Sequence, residues 1–131
     1  MSIFGLLSEI DIDNPSSWRN RAFLTFDIDW VHDEILLDSI KLLGSASVPA
    51  TWFVTHYTQV LARIRANRSF EMGVHPNFNR LINGVETPGF SATDILDKIL
   101  SVVPEARSVR SHSVTQSGPI QALFLSRGIT H

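Results

Sequence analysis

The chain has 131 residues, 44% of them apolar and 18% charged, a globular composition for one domain that excludes a disordered chain. Its net charge of −2 and pI near 6.2 leave no electrostatic footprint for nucleic acid or an anionic membrane. Cysteine is absent, so disulfides, thiolate-bound zinc and a thiol nucleophile are excluded together, and any metal must be held by His, Asp, Glu or Asn.

Residues 1–20 form an N-terminal segment that opens with a short apolar run. No basic flank precedes it, and Glu9, Asp11 and Asp13 follow quickly, which makes a poor signal peptide. No stretch is long enough to span a bilayer, and a cytoplasmic location is the expectation. The domain is expected to occupy residues 21–131.

The run "RAFLTFDID" (21–29) is apolar and β-favouring, as in a parallel strand covered on both faces. Asp33 can cap a helix carrying Ile35, Leu36, Ile40, Leu42 and Leu43, closed by Gly44. "VPATWFVT" (48–55) reads as a second strand, and 57–67 has helical spacing at Val60, Leu61 and Ile64. "SFEMGVH" (69–75) is a short third strand, followed by a loop punctuated by Gly and Pro. The spacing predicts an amphipathic helix over 91–103, with Ser91 or Thr93 as cap and Pro104 beyond its end. "ARSVRS" (106–111) is a fourth strand by position, and 117–128 a last helix with Pro119 in its first turn.

Strands alternating with helices at about 30 residues per unit imply a parallel α/β sheet with helices outside it. Such folds place their sites beyond the carboxyl ends of the strands. Those ends carry Asp27 and Asp29, then Thr55-His56, then His75, then Arg110 and His112. Acidic and imidazole groups therefore converge on one rim.

Asp27 and Asp29 are two residues apart on a strand and share a side. Two carboxylates this close repel unless a cation intervenes. A division of labour follows, in which one binds a metal and the other takes a proton from water. A solvated strand end would explain the pair equally well. Pro76 after His75 is placed to open a helical turn that brings Asn79 back over His75. Arg110 could pair with Asp27, and His112 could supply an imidazole that position 79 lacks. Trp30 lies beside these motifs, where an aromatic ring can stack on a sugar, whereas Trp52 reads as core. His32 and His56 read as polar rim or structural groups.

In order, these residues resemble the motifs of the polysaccharide deacetylase (NodB-homology, carbohydrate esterase family 4) superfamily. "LTFDID" resembles its first motif, "VPATWFV" the strand that follows, "FEMGVHPNFN" its second motif, and "VRSHS" stands where a bracing Arg would be. "FDIDW", "GVHPNF" and "RSHS" are also similar to a subgroup encoded with surface-polysaccharide biosynthesis genes. The resemblance implies a parallel (β/α) barrel, (β/α)7-like, and hydrolysis of N-acetyl groups from an amino sugar of a surface polysaccharide or its precursor. It implies a divalent metal, zinc before others, with Asp27 as base, Asp29 and His75 as ligands, and Arg110 orienting Asp27. The third ligand is His112 or, as the alternative, Asn79, and Trp30 and Asn77 are expected to face the sugar. The family's later motifs would follow residue 131. The chain is therefore expected to be an incomplete barrel, with open sheet edges through which copies could associate.

Two other classes bear comparison. Two-component receiver domains share the parallel plan and the acidic pair, but need an Asp where this third strand ends in His75 and a Lys where none follows Lys98. A catalytically inactive member of the same fold would instead bind or assemble carbohydrate, and a metal-free one could hydrolyse the C–N bond of a non-sugar amide.

Overall fold

β-Branched and aromatic residues dominate three short runs, and these form a parallel sheet in the computed structural model, which describes residues 2–84 and 88–131. Strands β1 (Leu24–Asp27), β2 (Ala50–Val54) and β3 (Phe70–Val74) lie in the order β1-β2-β3. The register pairs Asp27 with Phe53 and Val54 with Val74, so all three strands end at one rim. β2 is central and buried along its whole length, which accounts for its unbroken apolar run.

Among the described residues five α-helices connect and flank these strands: α1 (Asp33–Ser45), α2 (Leu61–Arg65), α3 (Asn79–Ile82), α4 (Ala92–Val102) and α5 (Gly118–Ser126). One face of the sheet packs on them. Trp52 stacks on Phe26 at 4.7 Å between ring centroids and meets Phe70 edge-on at 5.6 Å. Leu36 and Ile40 of α1, Leu61 and Ile64 of α2, Leu96 and Ile99 of α4 and Phe124 of α5 join the same buried cluster. Phe53 is equally buried but stands apart from that cluster, because its side chain belongs to the opposite face. That second face carries Thr25, Asp27, Thr51, Phe53, Glu71 and Gly73, a far more polar set. Thr51 donates its hydroxyl to Glu71 at 2.7 Å, and Phe53 and Ser108 press so close to Gly73 that a Cβ there would meet them within 2.7 Å.

The sheet is extended at both sides by single bridges. Phe4 pairs in parallel with Ala22, and Val109 in parallel with Val74. The main chain at 130 and 131 in turn donates to Arg107, and Val109 donates to the carbonyl of His131. The N-terminal segment also reaches the polar face, where the Leu7 N–H approaches Thr51 Oγ1 at 3.4 Å and that of Ser8 approaches Glu71 Oε1 at 3.2 Å.

Several element ends depart from the sequence expectations. β1 is shorter than 21–29, and Asp29 lies beyond it. Asp33 is not the cap of α1 but its first residue, with His32 at the cap; its carboxylate instead accepts the Thr58 hydroxyl at 2.7 Å. α1 runs through Gly44 to Ser45 and is turned by Ser47 at φ +54°. α2 is confined to Leu61–Arg65, because Thr58 Oγ1 accepts the Val60 N–H and holds the preceding residues in a turn. The fourth strand is reduced to the bridge at Val109. Pro76 does not open a helical turn. The chain stays irregular through Phe78, and α3 starts at Asn79. The Gly- and Pro-punctuated loop before α4 falls partly on 85–87, outside the described residues.

Ser91 caps α4 as expected, accepting the Asp94 N–H, and Asp94 returns a bond to the Ser91 N–H. Bonds from the Ser91 hydroxyl and then its backbone hold the Asp94 carboxyl below the usual carboxylate range. Among the described residues no helix is long and apolar enough to cross a membrane.

Candidate metal centre

The rim receives these side chains from three segments of chain. Asp27 closes β1, Asp29 follows it, His75 follows β3, and Arg110 and His112 follow the Val109 bridge. Main-chain bonds fix these positions: the His75 N–H donates to Val54 O at 2.8 Å, Arg110 N–H to Val74 O at 3.1 Å, and His112 N–H to Pro76 O at 2.9 Å. The Thr55 hydroxyl reaches the carbonyl of Asp29 at 3.4 Å, tying the end of β2 to the residue after β1.

Asp29, His75 and His112 face one another. His75 Nε2 lies 3.5 Å from Asp29 Oδ2, His112 Nδ1 lies 3.5 Å from Asp29 Oδ1, and the two ring nitrogens are 3.3 Å apart. One donor atom from each residue lies within 4.8 Å of the other two. The 3.3 Å between the two ring nitrogens is the separation of two neighbouring donors about 2.1 Å from one zinc ion. Two imidazoles and one carboxylate are also the donor set that suits zinc, with a fourth position left for water or substrate. The residues present therefore fit a divalent ion of that kind.

His75 is 5% exposed, and its other nitrogen, Nδ1, is turned towards Asp27 Oδ1 at 3.7 Å. Asp27 Oδ1 is also 3.0 Å from Arg110 Nε, a contact too poorly aligned for a directed hydrogen bond and so mainly electrostatic. The Arg110 guanidinium lies 4.4 Å over the Phe53 ring, which holds it on the polar face of the sheet. A cation thus stands beside the first carboxylate, while two imidazoles stand beside the second.

The segment after His112 is strained. Ser113 and Val114 both have positive φ, +56° and +52°, a conformation that a β-branched residue rarely adopts. Ser111 Oγ donating to Thr115 O at 2.5 Å, and Thr115 Oγ1 donating to His112 O at 3.2 Å, close the turn around it.

Asn79 stands at the start of α3, with its amide nitrogen 3.4 Å from Ser113 Oγ. Asn77 accepts the Asn79 N–H through Oδ1 at 3.0 Å and is exposed. Trp30 is 84% exposed, with its ring edge-on to His112 at 5.9 Å.

A cleft of about 700 Å³ opens beside the triad, and Asp29, His75, Trp30, Asn77 and Asn79 all line it. His56 and Tyr57, beyond β2, line it too, with Thr55 Oγ1 bonded to His56 Nδ1 at 2.7 Å. Arg80, Phe90 and Lys98 are further walls that the sequence reading does not single out. Lys98 has a legible signal, since it shares one helical face with Ile95, Ile99 and Val102, all of which line the cleft.

A parallel α/β sheet that gathers one carboxylate and two imidazoles at its carboxyl rim defines a candidate metal-site class of α/β protein. Residues 24–131 match the family described as WbmS-like polysaccharide deacetylase, and the chain belongs to it. It is also similar to a crystal structure from Bordetella bronchiseptica, WbmS, described as a candidate polysaccharide deacetylase involved in O-antigen biosynthesis. The two share 49% identity with a TM-score of 0.90 over 96% of this chain and 51% of the other, so this chain spans about half the length of that relative. No curated protein matches.

Proposed function

We propose that this chain carries the metal-holding part of an active site that removes N-acetyl groups from an amino sugar of a surface polysaccharide or its precursor. The observation that carries the reading is the convergence of Asp29, His75 and His112 beside an Asp27 that is paired with Arg110. Family membership and the O-antigen role ascribed to the Bordetella relative support the substrate class.

Asp29, His75 and His112 would hold the ion, with Asn79 as the alternative third ligand. For His75 to present Nε2, its proton must sit on Nδ1, towards Asp27 Oδ1. A bound zinc ion would polarise the acetyl carbonyl and make water more acidic. Asp27 Oδ1 faces Arg110 and His75, and the carboxylate they flank would take the proton of the attacking water. As the C–N bond breaks, that proton is available to the departing amine nitrogen, leaving acetate and the free amino sugar. Trp30 and Asn77 line the cleft where the sugar would lie.

The sheet is, on this reading, the first part of a (β/α)7-like barrel with residues 21–131 in its wall. The parallel bridges at both sides and the polar second face support that closure. A second reading, a carbohydrate-binding member without turnover, is favoured by Asn79: the resemblance places an imidazole there, and this amide is turned to Ser113.

The test is acetate release from N-acetylated amino-sugar oligomers by the zinc-loaded chain and by Asp27→Asn. The expected result is a loss of about 10²–10⁴ in rate with zinc affinity kept within a few-fold. Unchanged release in Asp27→Asn would remove Asp27 as the base. Failure of the unaltered chain to bind zinc would remove the metal hydrolase reading altogether.

A further inference from the structure

The cleft beside the triad contains a cationic wall that deacetylation does not require. Arg80 and Lys98 both line it, on α3 and α4 respectively. Among the described residues neither side chain has a carboxylate partner. Arg80 is nonetheless held, with its guanidinium 4.4 Å over the Phe90 ring, and Phe90 is itself a cleft wall. Lys98 projects from the helix face that faces the cleft, among Ile95, Ile99 and Val102. The rest of the wall is largely apolar, and Tyr57, 70% exposed, stands at the mouth with Trp30. Arg80 and Lys98 put two positive charges on this largely apolar wall, against the Asp29 carboxylate that also lines the cleft, in a molecule of net charge −2.

We infer that the cleft selects an amino sugar bearing a negative group, a carboxylate or a phosphate, which Arg80 and Lys98 receive while the N-acyl group lies at Asp29 and His75. The inference rests on the sugar reading above and adds the charge of the substrate. An Arg steadied by an aromatic face loses less freedom when it meets an anion, and its planar fork suits carboxylate and phosphate alike. Trp30 and Tyr57 offer ring faces to the sugar's apolar side, so charge and stacking would act on different parts of one ligand.

The experiment is titration of the full chain with three probes that share the N-acetyl group: N-acetylglucosamine, its 6-carboxylate analogue, and N-acetylglucosamine 1-phosphate, with inorganic phosphate as a fourth. The expected result is about tenfold tighter binding of one charged sugar than of the neutral one. That advantage should shrink with added salt and vanish in Arg80→Gln/Lys98→Gln, while Arg80→Lys keeps part of it. Which charged sugar gains tells carboxylate from phosphate. Equal binding of neutral and charged sugars overturns the inference and leaves the sugar reading standing. An advantage that survives in the double variant also overturns it, as does inorganic phosphate binding as tightly as the sugar phosphate. Binding of none of the sugars overturns both readings together.

Discussion

Alternate residues of the same three strands build the two faces of the sheet, yet the faces follow different rules. On one, Trp52, Met72 and Val74 are buried with the helices and Phe26 packs against them partly exposed; on the other, Thr51 bonds Glu71 and Asp27 stands beside Arg110. The first face is held by area removed from water and tolerates any arrangement of similar volume. The second is held by polar contacts, the Thr51–Glu71 hydrogen bond and the electrostatic pairing of Arg110 with Asp27. Stability and chemistry are thus separated by a single step of the β-strand period. Altering one face should leave the business of the other largely intact.

That separation can be broken or sharpened by substitution. The largest effect is expected for Trp52→Ala, which empties the centre of the apolar face and should cost about 3–5 kcal/mol in urea unfolding. If it costs less than about 1 kcal/mol, the helix-covered face is not the source of stability. His112→Ala probes the opposite side. Zinc affinity, read by competition with a chromophoric chelator, should fall at least about a hundredfold, since even outer partners of a metal site contribute ten- to a hundredfold. The metal-free variant should unfold within about 1 kcal/mol of the parent. Asn79→Ala under the same assay should leave affinity within about twofold, and a large loss there would move the third ligand to Asn79.

The smallest expected effect lies away from both faces, where α5 is tied to α4. Arg127 donates to both oxygens of Asp97, at 2.7 and 2.9 Å, and that bond holds the Asp97 carboxyl below its ordinary value of 3.8. A carboxyl depressed in the folded state adds stability that is complete above its unfolded value and is lost as pH falls through its folded one. Arg127→Gln should therefore lower the thermal midpoint slightly at pH 7, with the gap closing at strongly acid pH. A gap that widens in acid would reverse the sign of this linkage.

Much of this architecture is legible in the chain itself because period and strand-end position are local properties. The apolar runs around Phe26, Trp52 and Met72, and the capping pair Ser91–Asp94, need no tertiary information. Placement of Asp27, Asp29, His75 and His112 on one rim follows from the strand-end rule alone. Other features depend on partners far away in sequence. Asp33 looks like a helix cap until Thr58 takes its carboxylate, and 106–111 looks like a strand until only Val109 finds a pairing partner. Arg80 and Lys98 resemble any solvated surface cations, and only the folding of α3 and α4 around one cleft distinguishes them.

The left-handed pair Ser113–Val114 has a consequence for selectivity among ions. A backbone held in an unfavourable conformation by bonds on both sides has little room to breathe. His112 is thereby set at a spacing of 3.3 Å from His75 before any ion arrives. A cation that demands wider or more numerous ligands, such as calcium, would have to deform that turn to be accommodated. One that accepts three donors at close quarters would not. On the proposed metal reading, the crowded turn would act as a caliper, selecting among ions by size through the spacing it imposes on the two imidazoles.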